Sequence, residues 1–295
     1  MKQVLAWTIS HTLRPALSPK VPLKIQRLCS DLASTILMGP SGYKTQKQMI
    51  GQIPTLEIQP KTTLEGYGVL YLHGGGYVVG SAKSHAKLAA HLGHAIQAKV
   101  WLPEYRLAPE HPSPAAMADA LFVYKTLLAN GHDPNKLIIA GDSAGGGLSL
   151  LTAIAIREAG LPQPAALVLL SPWVDLSLSG ESLKTHIARD AMLRPEWLQW
   201  CAQNYSGKQQ VTSPSCSPLY ADLSGLAPTL IHVGTEELLL DDAKRIAQKL
   251  EKDGVTIQSK VYNGVGHVFQ FHAGILKEAS QSIREIADFA HQYLS

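Results

Sequence analysis

The sequence predicts an α/β fold built on a mostly parallel sheet with helices on both faces. Three observations carry that expectation. Strand-like and helix-like runs alternate through most of the chain, as expected of βα units. The strand-like runs are short and apolar throughout, as strands buried on both faces must be. The stretch LIIAGDSAGGGLSLLTAIAI, residues 137 to 156, turns abruptly from strand to helix at a serine set among small residues. With 295 residues, 45% of them hydrophobic, the chain can bury a large core, and one or two domains are expected.

Each element follows from local chemistry. Residues 1 to 45 read as short amphipathic helical pieces interrupted by Pro15, Pro19, Pro22 and Pro40. From about residue 48 to 72 the texture is extended, as IPTLEI and then GVLYLH. SAKSHAKLAAHLGHAIQA reads as a helix, AKVWL as a strand and PAAMADALFVYKTLLANG as a helix with a terminal glycine. KLIIAG is a strand, a helix-like run starts by about Leu148, and AALVLLSP is a strand. PTLIHVG is a strand and ELLLDDAKRIAQKLEKDG a helix closed by Gly254. TIQSKVY is a strand, and AGILKEASQSIREIADFAHQYL is the last helix. Residues 175 to 212 break the rhythm. They are too long for an ordinary βα connection and carry Met192, Trp197, Trp200 and Tyr205, with Pro195 at a helix start. They read as an inserted helical piece.

The totals exclude several classes. A net charge of +3 on 31.8 kDa, without a basic cluster, does not suggest nucleic-acid binding. Cys29, Cys201 and Cys216 are too few and scattered for a disulfide framework, and reduced thiols suit the cytoplasm. The opening MKQVLAWTISHTLR is too soon broken by polar residues for a signal h-region or a stable membrane insertion.

The serine corner carries the chemistry. GDSAG fits G-x-S-x-G, a nucleophile elbow in which small residues let a strained turn pack against its neighbours; as a lone motif it also fits an ordinary tight turn. A serine hydroxyl needs a base, and the base needs an acid to orient it. In such folds the order is serine, acid, histidine, and the sequence offers TEELLLDD after one later strand and His267 after the last. HGGGYVVG after an earlier strand offers backbone N–H groups for an oxyanion. The hole is therefore expected at Gly75 and Gly76, with the N–H of Ala144 beside Ser143. Other readings are weaker. GGGYVVG lacks strict dinucleotide-loop spacing. His85, His91 and His94 lack the Cys or carboxylates of a metal site, so no metal is expected. His272 is expected to be structural and His73 to brace its loop.

HGGGYVVGS at 73–81, EYRLAPEHPSPAA at 104–116 and GDSAGGGLS at 141–149 together resemble the hormone-sensitive-lipase-like bacterial esterases of the α/β-hydrolase superfamily. SPWVDLS at 171–177, SPLYADLSGLAPTLIHVG at 217–234 and the GHVFQ around His267 are similar too. The resemblance implies an eight-stranded sheet and a helical cap. The cap would comprise residues 1–45 and 175–212, over a core of 46–174 and 213–295. It implies a Ser143, Glu237, His267 triad. Glu237 fits the family pattern of an acid, one residue, Leu, one residue, Asp; Glu236 does not. Asp241 and Asp242 are expected to favour the start of the following helix. Arg106, Glu104 and Glu110 are expected to form an ion network bracing the glycine loop, and Met192, Trp197 and Trp200 to line an acyl pocket or fasten the cap.

The activity so implied is hydrolysis of short to medium acyl esters through an acyl-enzyme, without cofactor. A true lipase would expose a larger apolar surface. A non-catalytic ligand-binding relative, or an amidase or acyltransferase using the same residues, is the alternative. Relatives of this kind often pair, which leaves a homodimer open.

Overall fold

The computed structural model describes all 295 residues. Two helices open the chain, α1 (Lys2–Ala16) and α2 (Leu23–Ala33). A hairpin of β1 (Tyr43–Ile50) and β2 (Ile53–Pro60) leads into β3 (Gly68–Leu72), α3 (Ala82–Ile96), β4 (Lys99–Pro103) and α4 (Ala115–Ala129). The centre comprises β5 (Leu137–Asp142), α5 (Ala144–Glu158) and β6 (Ala166–Leu170). A short α6 (Ser182–Thr185) and α7 (Pro195–Ser206) interrupt the alternation. It resumes with β7 (Thr229–Gly234), α8 (Leu240–Lys252), β8 (Ile257–Tyr262) and α9 (Lys277–Tyr293).

The eight strands lie in the order β1-β2-β4-β3-β5-β6-β7-β8. β1–β2 and β2–β4 are antiparallel, and every other pair is parallel. The expected eight-stranded, mostly parallel sheet of an α/β-hydrolase is thus present. Strand side chains divide by the two-residue period between two cores. Leu70, Ile139 and Leu167 join α4, α5 and α8 on one face; Val69, Ile138 and Val168 join α3 and α9 on the other. The outer helices bury one stripe each, as in α8, where Leu240, Ala243, Ile246 and Leu250 face inward. α3 starts at a capping box, Ser81 accepting from the Ser84 N–H while Ser84 accepts from the Ser81 N–H.

Two boundaries differ from the sequence reading. β1 begins at Tyr43, just ahead of a run (KTQKQ) whose polar side chains gave no strand signal, because the strand lies at the sheet edge and is mostly exposed. α5 begins at Ala144, immediately after Ser143, rather than near Leu148. The glycines at 145–147 have poor intrinsic helix propensity, but tertiary contact requires them. A Cβ on Gly145 would lie 1.9 Å from the Leu72 carbonyl oxygen and one on Gly147 2.2 Å from that of Trp173.

The chain reverses its direction of travel across the sheet at β3, going outward to β4 and then back to β5 on the other side. Ligands in open parallel sheets bind at such reversals, beyond the carboxyl ends of the strands. Here β3 and β5 are neighbours, with Leu72 opposite Gly141, so the loops that leave them emerge side by side.

Backbone contact at Gly145 leaves no room for relief. Gly145→Ala is expected to cost about 3 kcal/mol or more in urea unfolding. Gly160→Ala adds strain at a left-handed φ of 64° but meets open space, and should cost only about 1–2 kcal/mol. Equal losses would show that the packing against β3 is not limiting.

Candidate active site

Ser143 sits between β5 and α5 with φ 53° and ψ −122°, a conformation a side chain adopts only when its surroundings compel it. Its N–H donates to the Leu170 carbonyl at 2.8 Å, and its own carbonyl accepts from Trp173 at 2.9 Å. The elbow is therefore clamped to the exit of β6. α5 starts at the next residue, so the N-terminal end of its dipole faces the serine.

The glycine loop after β3 comes to the same point. Gly75 and Gly76 have φ of 118° and 60°, and a Cβ on Gly75 would lie 2.2 Å from the Val79 carbonyl oxygen. The N–H groups of Gly75, Gly76 and Ala144 donate to no carbonyl or side chain of the protein, and Gly75 and Gly76 line one cleft with Ser143. Buried Asp142, adjacent to the serine, ties the loop to the elbow. Its Oδ1 accepts from the Tyr71 hydroxyl at 2.7 Å and the Gly74 N–H at 3.1 Å, and its Oδ2 lies 3.3 Å from His85 Nε2. Burial alone would raise its pKa, but His85 and the Tyr71 hydrogen bond outweigh that and hold it below the ordinary value. His73 bonds within the loop, its Nδ1 donating to the Gly74 carbonyl at 2.8 Å while the Tyr105 hydroxyl donates to the His73 carbonyl at 2.6 Å. Burial lowers the His73 pKa to about 3, so the ring is neutral. It has the bracing place expected of it.

Glu237 and His267 come from the loops after β7 and β8, which the parallel pairing of those strands sets side by side. His267 Nδ1 donates to Glu237 Oε2 at 2.8 Å, leaving Nε2 as the acceptor. Glu237 is wholly buried, and its other oxygen accepts from the Gly234 N–H at 2.6 Å and the Ser171 hydroxyl at 2.9 Å. Glu236 instead accepts from its neighbour Thr235 and makes no bond to His267. Burial pushes the His267 pKa down, but the hydrogen bond and charge of Glu237, with Asp190 and Asp142 adding, bring it above 6.5. Ser143 and His267 line the same cleft without a hydrogen bond between them. Such contacts are often long before a substrate binds.

Two residues of this site escaped the sequence reading. Ser171, with φ 46°, donates to Glu237 and accepts from the Val268 N–H at 3.2 Å, joining the acid to the histidine loop. Asp190, buried in the 175–212 segment, accepts from the N–H groups of Met192 and Leu193 at 2.8 and 2.7 Å, and from Leu238, next to the acid, at 2.8 Å. Asp190 carried no clear signal, because Arg189 precedes it and Arg194 and Glu196 follow closely, as on a solvated segment. Ser171 opens the SPWVDLS stretch that is similar to the family, but that stretch gave no role for it.

Other expectations need correcting. Arg106, Glu104 and Glu110 form no common network. Arg106 pairs with Asp119 at 2.7 Å, Glu110 with Arg27 at 2.7 Å, and Glu104 accepts from the Ala82 N–H. Asp242 accepts from the N–H groups of Val174 and Asp175, and Asp241 from Ser182. Both thus anchor the segment after β6 as well as opening α8. His272 lines the cleft rather than standing apart from it. Of Met192, Trp197 and Trp200, the first two line the cleft, and Trp197 Nε1 donates to Gln26 of α2 at 2.8 Å. Trp200 only packs against the core. The remaining walls come chiefly from α1 and α2, including Leu5, Ile9 and Leu13.

The chain is similar to known proteins in sequence and fold. A family model described as alpha/beta hydrolase fold matches residues 69–271. An acetyl-hydrolase of Streptomyces hygroscopicus is 40% identical over 225 residues, covering 76% of this chain and 75% of that protein. An esterase of Acinetobacter venetianus is 40% identical over 224 residues, covering 75% and 74%. The crystal structure of an esterase from the bacterial hormone-sensitive lipase family superposes with a TM-score of 0.94 at 35% identity over 98% of both chains. The chain belongs to the α/β-hydrolase family, among the hormone-sensitive-lipase-like bacterial esterases, and is a carboxylic-ester hydrolase.

Proposed function

We propose that hydrolysis runs through an acyl-enzyme on Ser143, with His267 as general base and Glu237 as the orienting acid. The observation that carries the reading is the buried Glu237–His267 bond at 2.8 Å, which leaves Nε2 free to take a proton in the cleft that also holds Ser143. Ser143 Oγ attacks the ester carbonyl carbon as its proton passes to Nε2. The carbonyl π electrons move to oxygen, and the unpaired N–H groups of Gly75, Gly76 and Ala144 stabilise the charge. Collapse breaks the carbon–oxygen bond, and the imidazolium protonates the departing alcohol. Water then attacks the acyl-enzyme with the same base, releasing the acid and restoring Ser143. Glu237 fixes the tautomer and stabilises the imidazolium.

The same proposal assigns residues 1–42 and 175–212 to a cap over a core of 43–174 and 213–295, the first boundary moved from 45 because β1 begins at Tyr43, and gives small esters with short to medium acyl chains as substrates. The apolar lining from α1, α2, Met192 and Trp197 supports both. The three free cysteines suit a cytoplasmic setting. The open edge of β8 offers unpaired backbone to a second copy and so supports a homodimer.

Ser143→Ala is expected to lower kcat for p-nitrophenyl acetate by about 10^4-fold or more while circular dichroism stays unchanged; substantial residual turnover would refute the nucleophile. Glu237→Gln should cost about 10^2- to 10^4-fold, and Glu236→Gln less than about threefold. The reverse ranking would relocate the acid. A base must be unprotonated to act, and the His267 pKa is raised. The acid limb of kcat/KM should therefore fall above pH 6.5. Glu237→Gln should shift that limb to lower pH, and an unmoved limb would assign it to another group. An anilide of the same acyl group separates esterase from amidase.

A further inference from the structure

The two N-terminal helices carry an apolar face that the fold leaves uncovered. α1 turns Leu5, Ile9 and Leu13 toward the cleft, yet none of its residues is fully buried. Away from the cleft it presents Val4 and Trp7, each 63% exposed. α2 does the same. Ser30 and Ala33 line the cleft, while Ile25, Leu28 and Leu32, spaced one and two turns apart, form an outer stripe from 48% to 57% exposed. Ile36, just beyond α2, is 73% exposed. Single exposed apolar side chains are ordinary, but a cluster on adjacent helices beside a binding cleft marks a contact surface.

Charge tells what that surface meets. Residues 1–36, which hold both helices, carry five lysines and arginines and one acid, Asp31. The whole chain has 26 basic and 23 acidic side chains, so the rest of the chain is slightly acidic. Lys2 and Arg27 are spent on Glu278 and Glu110, and Arg14 on the Ile187 carbonyl. Lys20 and Lys24 remain exposed at the start of α2, beside its apolar stripe.

We propose that α1 and α2 dock this enzyme on an anionic lipid surface. Val4, Trp7, Leu28 and Leu32 would enter the headgroup boundary, with Lys20 and Lys24 against the phosphates. This is the pattern of a helix lying in a membrane interface, apolar and aromatic on one side with lysines flanking it. It requires no spanning segment, and no helix here is long and apolar enough to cross a membrane. A second copy is a poorer occupant. A two-fold interface would set this basic face against itself and oppose Lys20 and Lys24 to their own counterparts. Docking would face the cleft wall formed by the same helices toward the lipid, where sparingly soluble esters collect.

The test is co-sedimentation of the full chain with vesicles of phosphatidylglycerol and phosphatidylcholine, against phosphatidylcholine alone, with gel filtration run in parallel. The expected result is binding to the phosphatidylglycerol vesicles that weakens with salt. Trp7→Ser with Leu28→Ser should weaken it by about tenfold or more, and Lys20→Glu with Lys24→Glu should abolish the preference for anionic lipid. Both double variants should hydrolyse p-nitrophenyl acetate at the parental rate, which shows that they fold and separates docking from the proposed triad. Absence of vesicle binding would overturn the proposal. So would undiminished binding by the serine variant, or a dimer that this variant dissociates.

Discussion

Direct backbone contact between the first turn of α5 and the exit of β3 is the constraint on which the site depends. The Leu72 carbonyl lies so close to Gly145 that any side chain there would occupy its oxygen's space. That approach places the glycine loop over the residue that ends β5, and lets one carboxylate, Asp142, bond to the loop through Gly74. Without it the N–H groups of Gly75 and Gly76 would not share a cleft with Ser143. The helix-breaking glycines at 145–147 therefore show tertiary packing overriding local preference. Their cost in helix propensity and the strain at Ser143 must both be carried by the surrounding packing, which in return sets the serine at a helix N-terminus.

A second feature is how buried carboxylates tie neighbouring loops together. Asp142 joins the loops after β3 and β5. Glu237 joins the loop after β7 to Ser171 after β6 and to His267 after β8. Asp190 joins the 175–212 segment to Leu238. An ionised carboxylate in such surroundings costs several kcal/mol in desolvation unless its oxygens are satisfied, so each of the three fixes the donors that satisfy it. The raised pKa of His267 results from the same economy, because negative charges around the imidazole favour its protonated form over the opposing effect of burial. In the role proposed for it, as a base that becomes positive during turnover, His267 would benefit from that bias.

Much of this was legible in the sequence because it depends on local period or fixed motif. The apolar strands, the serine corner, the glycine loop and the position of His267 each follow from residues close together in the chain. The choice of Glu237 over Glu236 needed a family pattern, since two adjacent acids differ only in where the turn after β7 points them; the structure shows Glu237 on His267 and Glu236 on Thr235. Partners distant in sequence were not legible. Arg106 pairs with Asp119 and Glu110 with Arg27 because α4 and α2 bring those partners near, and nothing in EYRLAPEHP encodes which helix will arrive. The polar run of β1 failed for the opposite reason. An edge strand with both faces largely wet has no hydrophobic alternation to read.

The two sides of the cleft are held by different forces, and that difference bears on how the site opens. The serine, histidine and glycine loops rest on a sheet whose central strands are wholly buried. α1 buries no residue completely and α2 only Gln26, whose amide donates to Ser18 and Val21 carbonyls while its oxygen accepts from Trp197. These helices are otherwise seated by Leu13 and Leu23 packed against the core, by Arg27 on the Val78 and Ala108 carbonyls, by Asp31 on Ser81, and by the more exposed contacts of Lys2 to Glu278, Arg14 to Ile187 and Arg27 to Glu110. Exposed ion pairs contribute little stability, and segments with few buried apolar contacts open at the lowest free energy. The groups proposed to react thus rest on the wholly buried strands, while the wall proposed to meet the acyl chain buries fewer residues completely. Ester chemistry requires the first, and entry of substrates of varied length is served by the second.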